Sequence, residues 1–337
     1  MDSQWLDDRL CAPSPALVDD LDRLDGDILV LGAGGKMGPS LARLAARAFR
    51  ARGDGRRVVA VSRWSDAGAA ARLAAEGVEV VSADLSGPAG VAEIPAAPNV
   101  VFMVGRKFGT TDAPWQTWWT NAHVPGLVAT RLRDSRFAVF STGNVYPAVP
   151  VHSGGADPAT PPDAVGEYGQ TAVGRERMFA YAAAEWGTRS TLLRLNYATD
   201  LRYGVQVDIA RRLLAGEPVD VSAGAVNLCW QGWANEVALR SLLRAATPPT
   251  VVNLTGPETV SVRWLATRLA GALGVKPTFT GEEGATALVS NAADTHAEYG
   301  YPSVPLARLV DWTARWLTSG GTLLDKPTHF ETGTGRY

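Results

Sequence analysis

The chain has 337 residues, of which 46% are hydrophobic and 20% are charged, and its formal net charge is −2. This length is enough for one large domain or two smaller ones, and the composition is ordinary for a soluble globular protein. The nearly balanced charge gives no reason to expect nucleic acid or an anionic membrane as a partner. We therefore expect a globular protein that acts on a small molecule.

Cysteine and histidine provide no sign of a metal site. Cys11 and Cys229 have neither metal-ligand spacing nor a disulfide framework, and the four histidines are scattered. No apolar run approaches eighteen residues, and the N-terminus is acidic. These features predict a cytoplasmic protein without a bound metal. Arginine outnumbers lysine 28 to 4, which makes each lysine more informative than any single arginine.

Strand and helix patterns alternate through the first two thirds of the chain. Helical stretches such as Met37–Arg50 and Ala67–Glu76 separate apolar runs of strand length. These runs are Asp27–Leu31, Arg57–Ser62, Val78–Ser82, Asn99–Val104, Phe137–Ser141 and Thr191–Leu195. Continuous apolar runs are typical of parallel strands that are buried on both faces. The pattern predicts an α/β protein with a Rossmann-type, doubly wound parallel sheet.

The rhythm changes after residue 196, where helices are predicted at 205–215, 233–246, 261–274 and 305–318. We expect a smaller, mixed C-terminal lobe that binds substrate. The expected divisions are an N-terminal extension with a helical stretch around Pro15 to Leu24 (1–26), a dinucleotide-binding domain (27–200), the substrate lobe (201–320) and a loosely ordered tail (321–337). A strand of the lobe returning to the first domain is compatible with this division.

A glycine motif directly follows the first predicted strand. Gly32, Gly35 and Gly38 form GxxGxxG at the start of an alanine-rich helix. Glycine lets the backbone approach a pyrophosphate closely, and a helix N-terminus offers N–H donors and a positive dipole end. Because both flanks fit, the motif predicts a dinucleotide cofactor.

The end of the second strand bears on which dinucleotide is bound. An acidic residue there would hold the adenosine ribose and favour NAD, but the chain has Ser62 and Arg63. An arginine can pair with a 2′-phosphate, so NADP is preferred and NAD is the alternative. Lys36 in the glycine turn is expected to add positive charge on the same side. Asp84, after the third strand, is placed to bind the adenine amino group or to cap the next helix.

Taken together, these segments resemble the extended short-chain dehydrogenase/reductase family, which contains the NAD-dependent epimerases and dehydratases. The resemblance runs through nearly the whole chain. It rests on the glycine motif, Asp84, Asn121, Ser141–Tyr146, Tyr168, Leu193–Asn196 and Gly300–Pro302 before a helix containing Trp312.

The resemblance implies a mechanism for two side chains. Thr142 would hydrogen-bond a substrate hydroxyl or carbonyl, and Tyr168 would act as general acid or base during hydride transfer. A tyrosine, whose ordinary pKa is about 10, needs help to act near neutrality. In the family a lysine four residues later gives that help and holds the nicotinamide ribose. This chain has Ala172 at that position.

Three interpretations of the missing lysine stay open. Another cation could take its place, with Lys107 as the first candidate, Arg106 as the second and Arg175 as the third. Tyr168 could instead stay protonated and only polarise a carbonyl. The site could also have lost redox chemistry, which would make the chain a non-catalytic, NAD(P)-binding sensor that acts through a partner.

The resemblance also implies the residues that contact cofactor and substrate. The implied cofactor contacts are Gly32, Gly35, Lys36, Met37, Gly38, Ser62, Arg63, Asp84, Leu85, Val104, Gly105, Tyr168 and Asn196. The implied substrate contacts are Arg106, Asn144, Asn196, Tyr203 and Trp115.

Trp115 belongs to a set with Trp118, Trp119 and His123 that shares one predicted helical face. In the family this helix packs in a dimer, so a homodimer interface is the first interpretation. An aromatic wall at the cleft mouth is the second.

Departures from the family narrow the expected reaction. Gly143 and Asn144 stand where the family's sugar 4,6-dehydratases carry an acidic pair, which disfavours dehydration. Cys229 or Trp230 stands where an arginine often grips a nucleotide diphosphate. We therefore predict an NAD(P)-dependent oxidoreductase or epimerase acting on a sugar, sugar acid or similar hydroxyl or carbonyl compound.

Overall fold

The computed structural model describes residues 1–53, 55–326 and 328–332. A seven-stranded sheet forms its centre, and every neighbouring pair of strands in it is parallel. The strands are β1 (Ile28–Leu31), β2 (Val58–Ser62), β3 (Glu79–Ser82), β4 (Asn99–Phe102), β5 (Arg136–Thr142), β6 (Ser190–Leu195) and β7 (Thr250–Leu254). Their order across the sheet is β7-β6-β5-β4-β1-β2-β3. This order confirms the predicted doubly wound parallel sheet.

Helices cover both faces of the sheet, so the residues of β1 and β4 are buried throughout. The helices are α1 (Ser3–Leu10), α2 (Pro15–Asp22), α3 (Gly38–Ala51), α4 (Ala67–Ala75), α5 (Pro88–Ala92), α6 (Pro114–Trp118), α7 (Val124–Arg131), α8 (Gly166–Trp186), α9 (Val205–Ala215), α10 (Gln231–Arg240), α11 (Val262–Leu273), α12 (Ala293–Tyr299) and α13 (Leu306–Thr318). A π-helical turn, Trp119–His123, joins α6 to α7.

The order in which strands are added to the sheet reverses between β1 and β4, because β2 and β3 lie on one side of β1 and the later strands lie on the other. The carboxyl ends of β1 and β4 therefore border a crevice. Ligands of open α/β sheets bind in such crevices.

The C-terminal half packs beside the sheet and also contributes to it. β7 pairs with β6 from Thr250↔Thr191 to Leu254↔Leu195. The short strands Ala198–Thr199 and Cys229–Trp230 form a separate parallel pair next to this edge. Cys229 and Trp230 are both buried there.

The N-terminal helices are part of the core. α2 matches the predicted helical stretch, whereas α1 was not predicted. Leu6 and Leu10 of α1 join Leu17 and Leu21 of α2 in the main apolar cluster. Burial of these four leucines ties the first 24 residues to the rest of the molecule.

The predicted tail lies along α9 as far as Thr332. Leu324 N–H donates to the carbonyl of Arg202 at 3.1 Å, and the side chain of Thr328 donates to Asp208 at 2.6 Å. Residues 333–337 of the predicted tail are outside the described part of the chain.

None of the helices within the described ranges has the length and apolar character needed to traverse a lipid bilayer. Across those same ranges, no three His, Cys, Asp or Glu side chains gather as a metal site would require.

Candidate functional site

A cavity of about 500 Å³ opens at the carboxyl ends of β1, β4, β5 and β6. It brings together most of the predicted site residues, which come from separate segments of the chain. Those lining it are Gly32, Gly35, Lys36, Met37, Gly38, Gly105, Arg106, Lys107, Thr142, Asn144, Tyr168, Asn196 and Tyr203. The predicted residues that do not line it are Ser62, Arg63, Asp84, Leu85, Val104 and Trp115.

The glycine loop has the geometry that a dinucleotide requires. Gly32 has φ +82°, and a Cβ at this position would lie 2.9 Å from the backbone nitrogen of Val104. A Cβ at Gly38 would lie 2.4 Å from the carbonyl oxygen of Ala33. Side chains are therefore excluded where the loop passes under β4 and enters α3.

The N-terminal end of α3 also suits a dinucleotide. Its N-cap is Met37, and no side chain caps the first turn. The leading N–H groups of α3 thus remain available to an anion at the positive end of the helix dipole. The residues present fit the pyrophosphate of NAD or NADP.

Ser62, Arg63 and Asp84 lie beyond the cavity, at the ends of β2 and β3. A Cβ at Gly34 would lie 2.6 Å from Oγ of Ser62, so the glycine loop passes directly beside that hydroxyl. Asp84 accepts a hydrogen bond from Ser86 N–H at 3.0 Å. The pKa of Asp84 is lowered mainly by its hydrogen bonds from Ser86, with a smaller contribution from the charge of Arg63.

Lys36 lies on the side of the glycine loop that lines the cavity. Its Nζ lies 3.4 Å from the ring centroid of Tyr203 and 5.1 Å from that of Phe108, on the cavity side of the loop. The contribution of Lys36 to binding a 2′-phosphate stays a prediction. Its spacing in the motif does not fix the direction of a long side chain, and the aromatic faces of Tyr203 and Phe108 attract the ammonium.

Thr142 and its neighbours form one wall of the cavity. Thr142 Oγ1 donates to Oδ1 of Asn144 at 3.1 Å and accepts from Asn144 N–H at 3.2 Å. Asn196 is buried behind this turn, and a Cβ at Gly143 would lie only 1.7 Å from its Oδ1. The glycine at 143 therefore lets Asn196 pack against the turn that carries Thr142.

Helix α8 carries Tyr168, Ala172 and Arg175 over successive turns. Tyr168 lines the cavity, whereas Ala172 is buried against Val145 and Tyr146. Arg175 also lines the cavity, although only 7% of its surface is exposed. Burial lowers the pKa of Arg175, and its electrostatic interaction with Tyr168 acts in the opposite direction.

Arg175 is held under the cavity by fixed acceptors. Its guanidinium donates to the carbonyl of Phe140 at the end of β5 and to Oδ1 of Asn121 at 3.1 Å. A Cβ at Gly105 would lie 2.7 Å from one of its Nη atoms. The Nε of Arg175 is buried without a hydrogen-bond partner among the described residues.

Asn121 lies in the π-helical turn, a local form that is frequent at functional sites. It accepts from Arg106 N–H at 2.8 Å and donates to the carbonyl of Arg106 at 2.8 Å. Its amide also donates to Thr171 of α8 at 3.0 Å. Asn121 therefore fixes the loop after β4 to helix α8.

Lys107 lies in that same loop and reaches the C-terminal segment. Its Nζ donates to the carbonyl of Thr328 at 3.1 Å and lies 5.9 Å from the ring centroid of Tyr168. Burial lowers the pKa of Lys107 to about 8, while the charges of Asp208 and Glu331 act against this shift. The first candidate cation of the sequence therefore does lie beside Tyr168.

A buried ion pair supports the floor of the site. Arg194 of β6 donates to Glu176 of α8 at 3.0 and 2.8 Å. Ser141, one residue before Thr142, donates to the same carboxylate at 2.6 Å. This network fixes β5, β6 and α8 relative to one another.

The predicted aromatic face lies on the surface. Trp115 is 68% exposed, and Trp118 and Trp119 are also exposed. The indole of Trp118 donates to Glu167, and the ring centroids of Trp119 and His123 lie 4.1 Å apart in a tilted arrangement. Because Trp115 does not line the cavity, this geometry does not support the aromatic-wall interpretation.

Several lining residues were missed at the sequence level. Phe108 and Tyr197 provide aromatic surface, while Gln231, Lys326 and Thr328 come from later parts of the chain. Lys326 carried one usable signal, since the chain has only four lysines. Gln231 is fixed by a hydrogen bond to Ser40 of α3 at 2.9 Å, which no local motif indicates.

Comparison with known families and structures agrees with this geometry. The model of the NAD dependent epimerase/dehydratase family matches residues 28–199, more than half of the chain. No curated protein matches the sequence.

Solved structures show the same fold. UDP-glucose 4-epimerase from Thermotoga maritima, solved with UDP-glucose, is 16% identical with a TM-score of 0.70 over 87% of this chain and 99% of that chain. A mutant UDP-glucuronic acid 4-epimerase from Bacillus cereus, solved with NAD and a fluorinated UDP-sugar, is 14% identical with a TM-score of 0.72 over the same shares. The dTDP-glucose 4,6-dehydratase of Streptomyces venezuelae, solved with NAD, is 16% identical with a TM-score of 0.73 over 87% of this chain and 97% of that chain.

Proposed function

The chain belongs to the NAD-dependent epimerase/dehydratase family, whose enzymes use a nicotinamide cofactor, and we propose that it transfers hydride to or from a small hydroxyl or carbonyl compound. The outcome is either net oxidation or reduction, or epimerisation through two successive transfers. A single observation carries the proposal: Thr142, Tyr168 and the glycine loop all face one cavity. A bound nicotinamide would supply or accept the hydride.

The side chains have distinct roles in this proposal. Thr142 Oγ orients the substrate oxygen, since its position is fixed by Asn144 and by the buried network under Ser141. Tyr168 exchanges a proton with that oxygen as hydride moves. Oxidation removes a hydride from the carbon and a proton from the oxygen of an H–C–O–H unit, which leaves a carbonyl. Reduction adds the hydride and the proton back to the same two atoms.

Arg175 is the cation that replaces the family's lysine. It lies one turn beyond Ala172, and a helical side chain leans toward the N-terminus and therefore back toward Tyr168. Its charge is fixed between Phe140 and Asn121 and interacts with Tyr168. Lys107 adds positive potential from the loop after β4.

Dehydration is not part of the proposal. Removing a hydroxyl as water calls for a proton donor such as a carboxylic acid, and no aspartate or glutamate is among the described residues that line the cavity. Asn144 stands where the family's dehydratases carry an acid, and its amide cannot take that role. Oxidoreduction or epimerisation needs no such acid, because Tyr168 exchanges the proton.

We further propose NADP as the preferred cofactor and a homodimer as the assembly. Arg63 is exposed at the end of β2, where it can meet a 2′-phosphate, and no acid stands at Ser62 to hold the ribose. For the dimer, the support is a set of exposed aromatic side chains on α6, the π-helical turn and α8. These are Trp115, Trp118, Trp119 and Tyr181.

The test has a binding step and a turnover step. The purified protein is titrated with NADPH and NADH in parallel by fluorescence, followed by a screen of sugar and sugar-acid carbonyls for cofactor oxidation. Tyr168→Phe should lower turnover by about 10²- to 10⁴-fold with unchanged cofactor affinity. Tyr181→Phe, an exposed tyrosine on the same helix, is the matched control.

Two results would end the catalytic proposal. Failure to bind either dinucleotide would remove the cofactor site. Full activity of Tyr168→Phe would remove the acid/base role. Cofactor binding without turnover of any substrate, and with Tyr168→Phe indistinguishable from the parent, would favour the non-catalytic sensor that Ala172 suggests.

A further inference from the structure

The charges around the cavity are strongly one-sided. Three of the four lysines in the chain line it, namely Lys36, Lys107 and Lys326, together with Arg106 and Arg175. No acidic side chain lines it among the described residues. The chain as a whole carries a net charge of −2, so this concentration of cations is not a consequence of general composition.

Lys36 and Lys107 contact aromatic rings, and Lys107 also donates to a backbone carbonyl. Lys36 lies over Tyr203, and Lys107 lies within 6 Å of the ring centroids of Phe108, Tyr168 and Tyr197. Lys36 and Lys326 form no ion pair with any described carboxylate. Aromatic faces stabilise an ammonium without neutralising it. The positive charge of Lys36 is therefore available to a ligand.

The acid that acts electrostatically on both Lys36 and Lys107 already accepts hydrogen bonds from another residue. Asp208 of α9 influences both Lys36 and Lys107 electrostatically. Its Oδ2 accepts from the backbone N–H of Thr328 at 2.7 Å and from its hydroxyl at 2.6 Å. Asp208 thus fixes the C-terminal segment, and its carboxylate does not line the cavity.

Electrostatic repulsion between the lysines affects the pKa of Lys36. Burial, followed by repulsion from Lys107 and Lys326, lowers the pKa of Lys36 to about 7. Such clustering costs free energy in the protein without a ligand, and an anion among the ammonium groups would recover it. Clusters of ionisable side chains with strongly shifted pKa values are typical of binding and catalytic sites.

The cofactor's pyrophosphate does not account for the cluster. The uncapped start of α3 and the glycine loop already provide its donors. The ammonium of Lys36 turns away from that backbone toward Tyr203, and Lys107 lies beside Tyr168. Lys107 therefore lies beside the tyrosine that would meet substrate, and Lys36 and Lys326 line the same cavity.

We propose that the substrate carries an anionic group, a carboxylate or a phosphate ester, which Lys36, Lys107 and Lys326 bind next to the reacting carbon. This deepens the proposed function and rests on it. Because Lys107 lies beside the Tyr168 ring, the anionic group and the reacting C–O unit are separated by only a few bonds. The substrate class is thus a hydroxy or oxo acid, such as a sugar acid, or a sugar phosphate. The nucleotide part of a nucleotide sugar is not needed for this recognition.

The test is calorimetric titration of the cofactor-loaded protein with D-glucuronate, D-glucose 6-phosphate, oxalate and neutral D-glucose. At least one anion should bind about tenfold or more tightly than D-glucose, as a charge-assisted contact implies. Preference between glucuronate and glucose 6-phosphate distinguishes the carboxylate from the phosphate. Lys36→Gln and Lys107→Gln should each weaken the anion about tenfold and leave D-glucose unchanged.

Lys276→Gln is the matched control, because Lys276 is exposed and is the one lysine outside the cavity lining. It should bind every probe as the parent does. Three outcomes overturn the proposal: no anion binds, anions and D-glucose bind equally, or the lysine variants weaken NADPH rather than the anion. The proposed function fails separately, through loss of dinucleotide binding in the parent or full activity of Tyr168→Phe.

Discussion

The guanidinium of Arg175 donates to Oδ1 of Asn121 at 3.1 Å, which joins helix α8 to the π-helical turn beneath the cavity. The same amide oxygen accepts from the backbone of Arg106 at 2.8 Å. One asparagine thus positions both the charge behind Tyr168 and the loop that carries Lys107. Ala172, between Tyr168 and Arg175 on the same helix, packs against the apolar side chains of Val145 and Tyr146.

Removal of the Arg175 charge should impair proton transfer more than binding. Arg175→Met is expected to lower kcat by about 10²-fold, because a fixed charge near a proton-transferring group contributes on this scale. KM should stay close to that of the parent, and Arg175→Lys, which keeps a positive charge, should recover part of the lost kcat.

The control for this prediction is Arg177→Met, which removes an exposed arginine from the same helix. Urea denaturation of each variant separates loss of charge from loss of fold. A parent-like kcat in a folded Arg175→Met protein would transfer the role to Lys107 or Arg106.

Cofactor preference should depend on Arg63. Arg63→Asp replaces a 2′-phosphate partner with an acid that can bind ribose hydroxyls, so NADPH affinity should fall about tenfold or more and NADH affinity should rise. Fluorescence titration of both dinucleotides measures the ratio. Arg72→Asp, on the exposed face of α4, changes the same charge away from the glycine loop. An unchanged ratio in Arg63→Asp would contradict the NADP preference.

Anion affinity should fall as pH rises from 6 to 9. A lysine is cationic below its pKa, and the pKa values of Lys36 and Lys107 are lowered to about 7 and about 8. Both charges are therefore lost across this range. The groups acting on Lys36 are Lys107, Lys326 and Asp208, and those acting on Lys107 are Asp208 and Glu331.

The same titration has a proton signature. A bound anion raises the pKa of the lysines, so the protein should take up protons near pH 7.5. The measured heat should then depend on the ionisation enthalpy of the buffer, and this dependence should shrink in Lys36→Gln. Lysine recognition would be contradicted by a heat that does not depend on the buffer together with an anion affinity that stays the same from pH 6 to 9.

The buried pair of Glu176 and Arg194 should matter for stability. Both side chains are less than 10% exposed, so Glu176→Ala leaves a buried guanidinium without its partner. The expected loss in the free energy of unfolding is about 3–5 kcal/mol. Glu283→Ala, which breaks the exposed pair with Arg263, should cost about 1 kcal/mol or less. Urea denaturation compares the two, and equal losses would contradict the structural role of Glu176.

The sheet was predictable because buried parallel strands are continuous apolar runs. β1, β2 and β3 begin one residue later than predicted and end at the predicted residue. Helix α1 was not predictable in this way, since only Leu6 and Leu10 of its eight residues are buried and, apart from Trp5, the others are polar. A single apolar pair one turn apart is too weak a period to identify a helix.

For the candidate site, local motifs were informative and side-chain directions were not. Thr142 and Tyr168 follow from fixed positions next to a strand and within a helix. The orientation of Lys36 depends on Tyr203, which lies 167 residues later in the sequence. Lys326 and Thr328 reach the cavity only because the C-terminal segment folds back along α9.

Asp7 of α1 accepts from Arg43 of α3 at 2.8 Å and from Arg202, the neighbour of Tyr203, at 2.9 Å. One carboxylate therefore links the helix behind the glycine loop to the segment that enters α9. Helices α1 and α2 precede the residues that match the family model. A chimera that exchanged the cofactor-binding half with that of a relative would have to keep these two helices with their arginine partners. Otherwise Arg43 and Arg202 would each lose one of their carboxylate partners and would keep only Glu76 and Asp200, respectively.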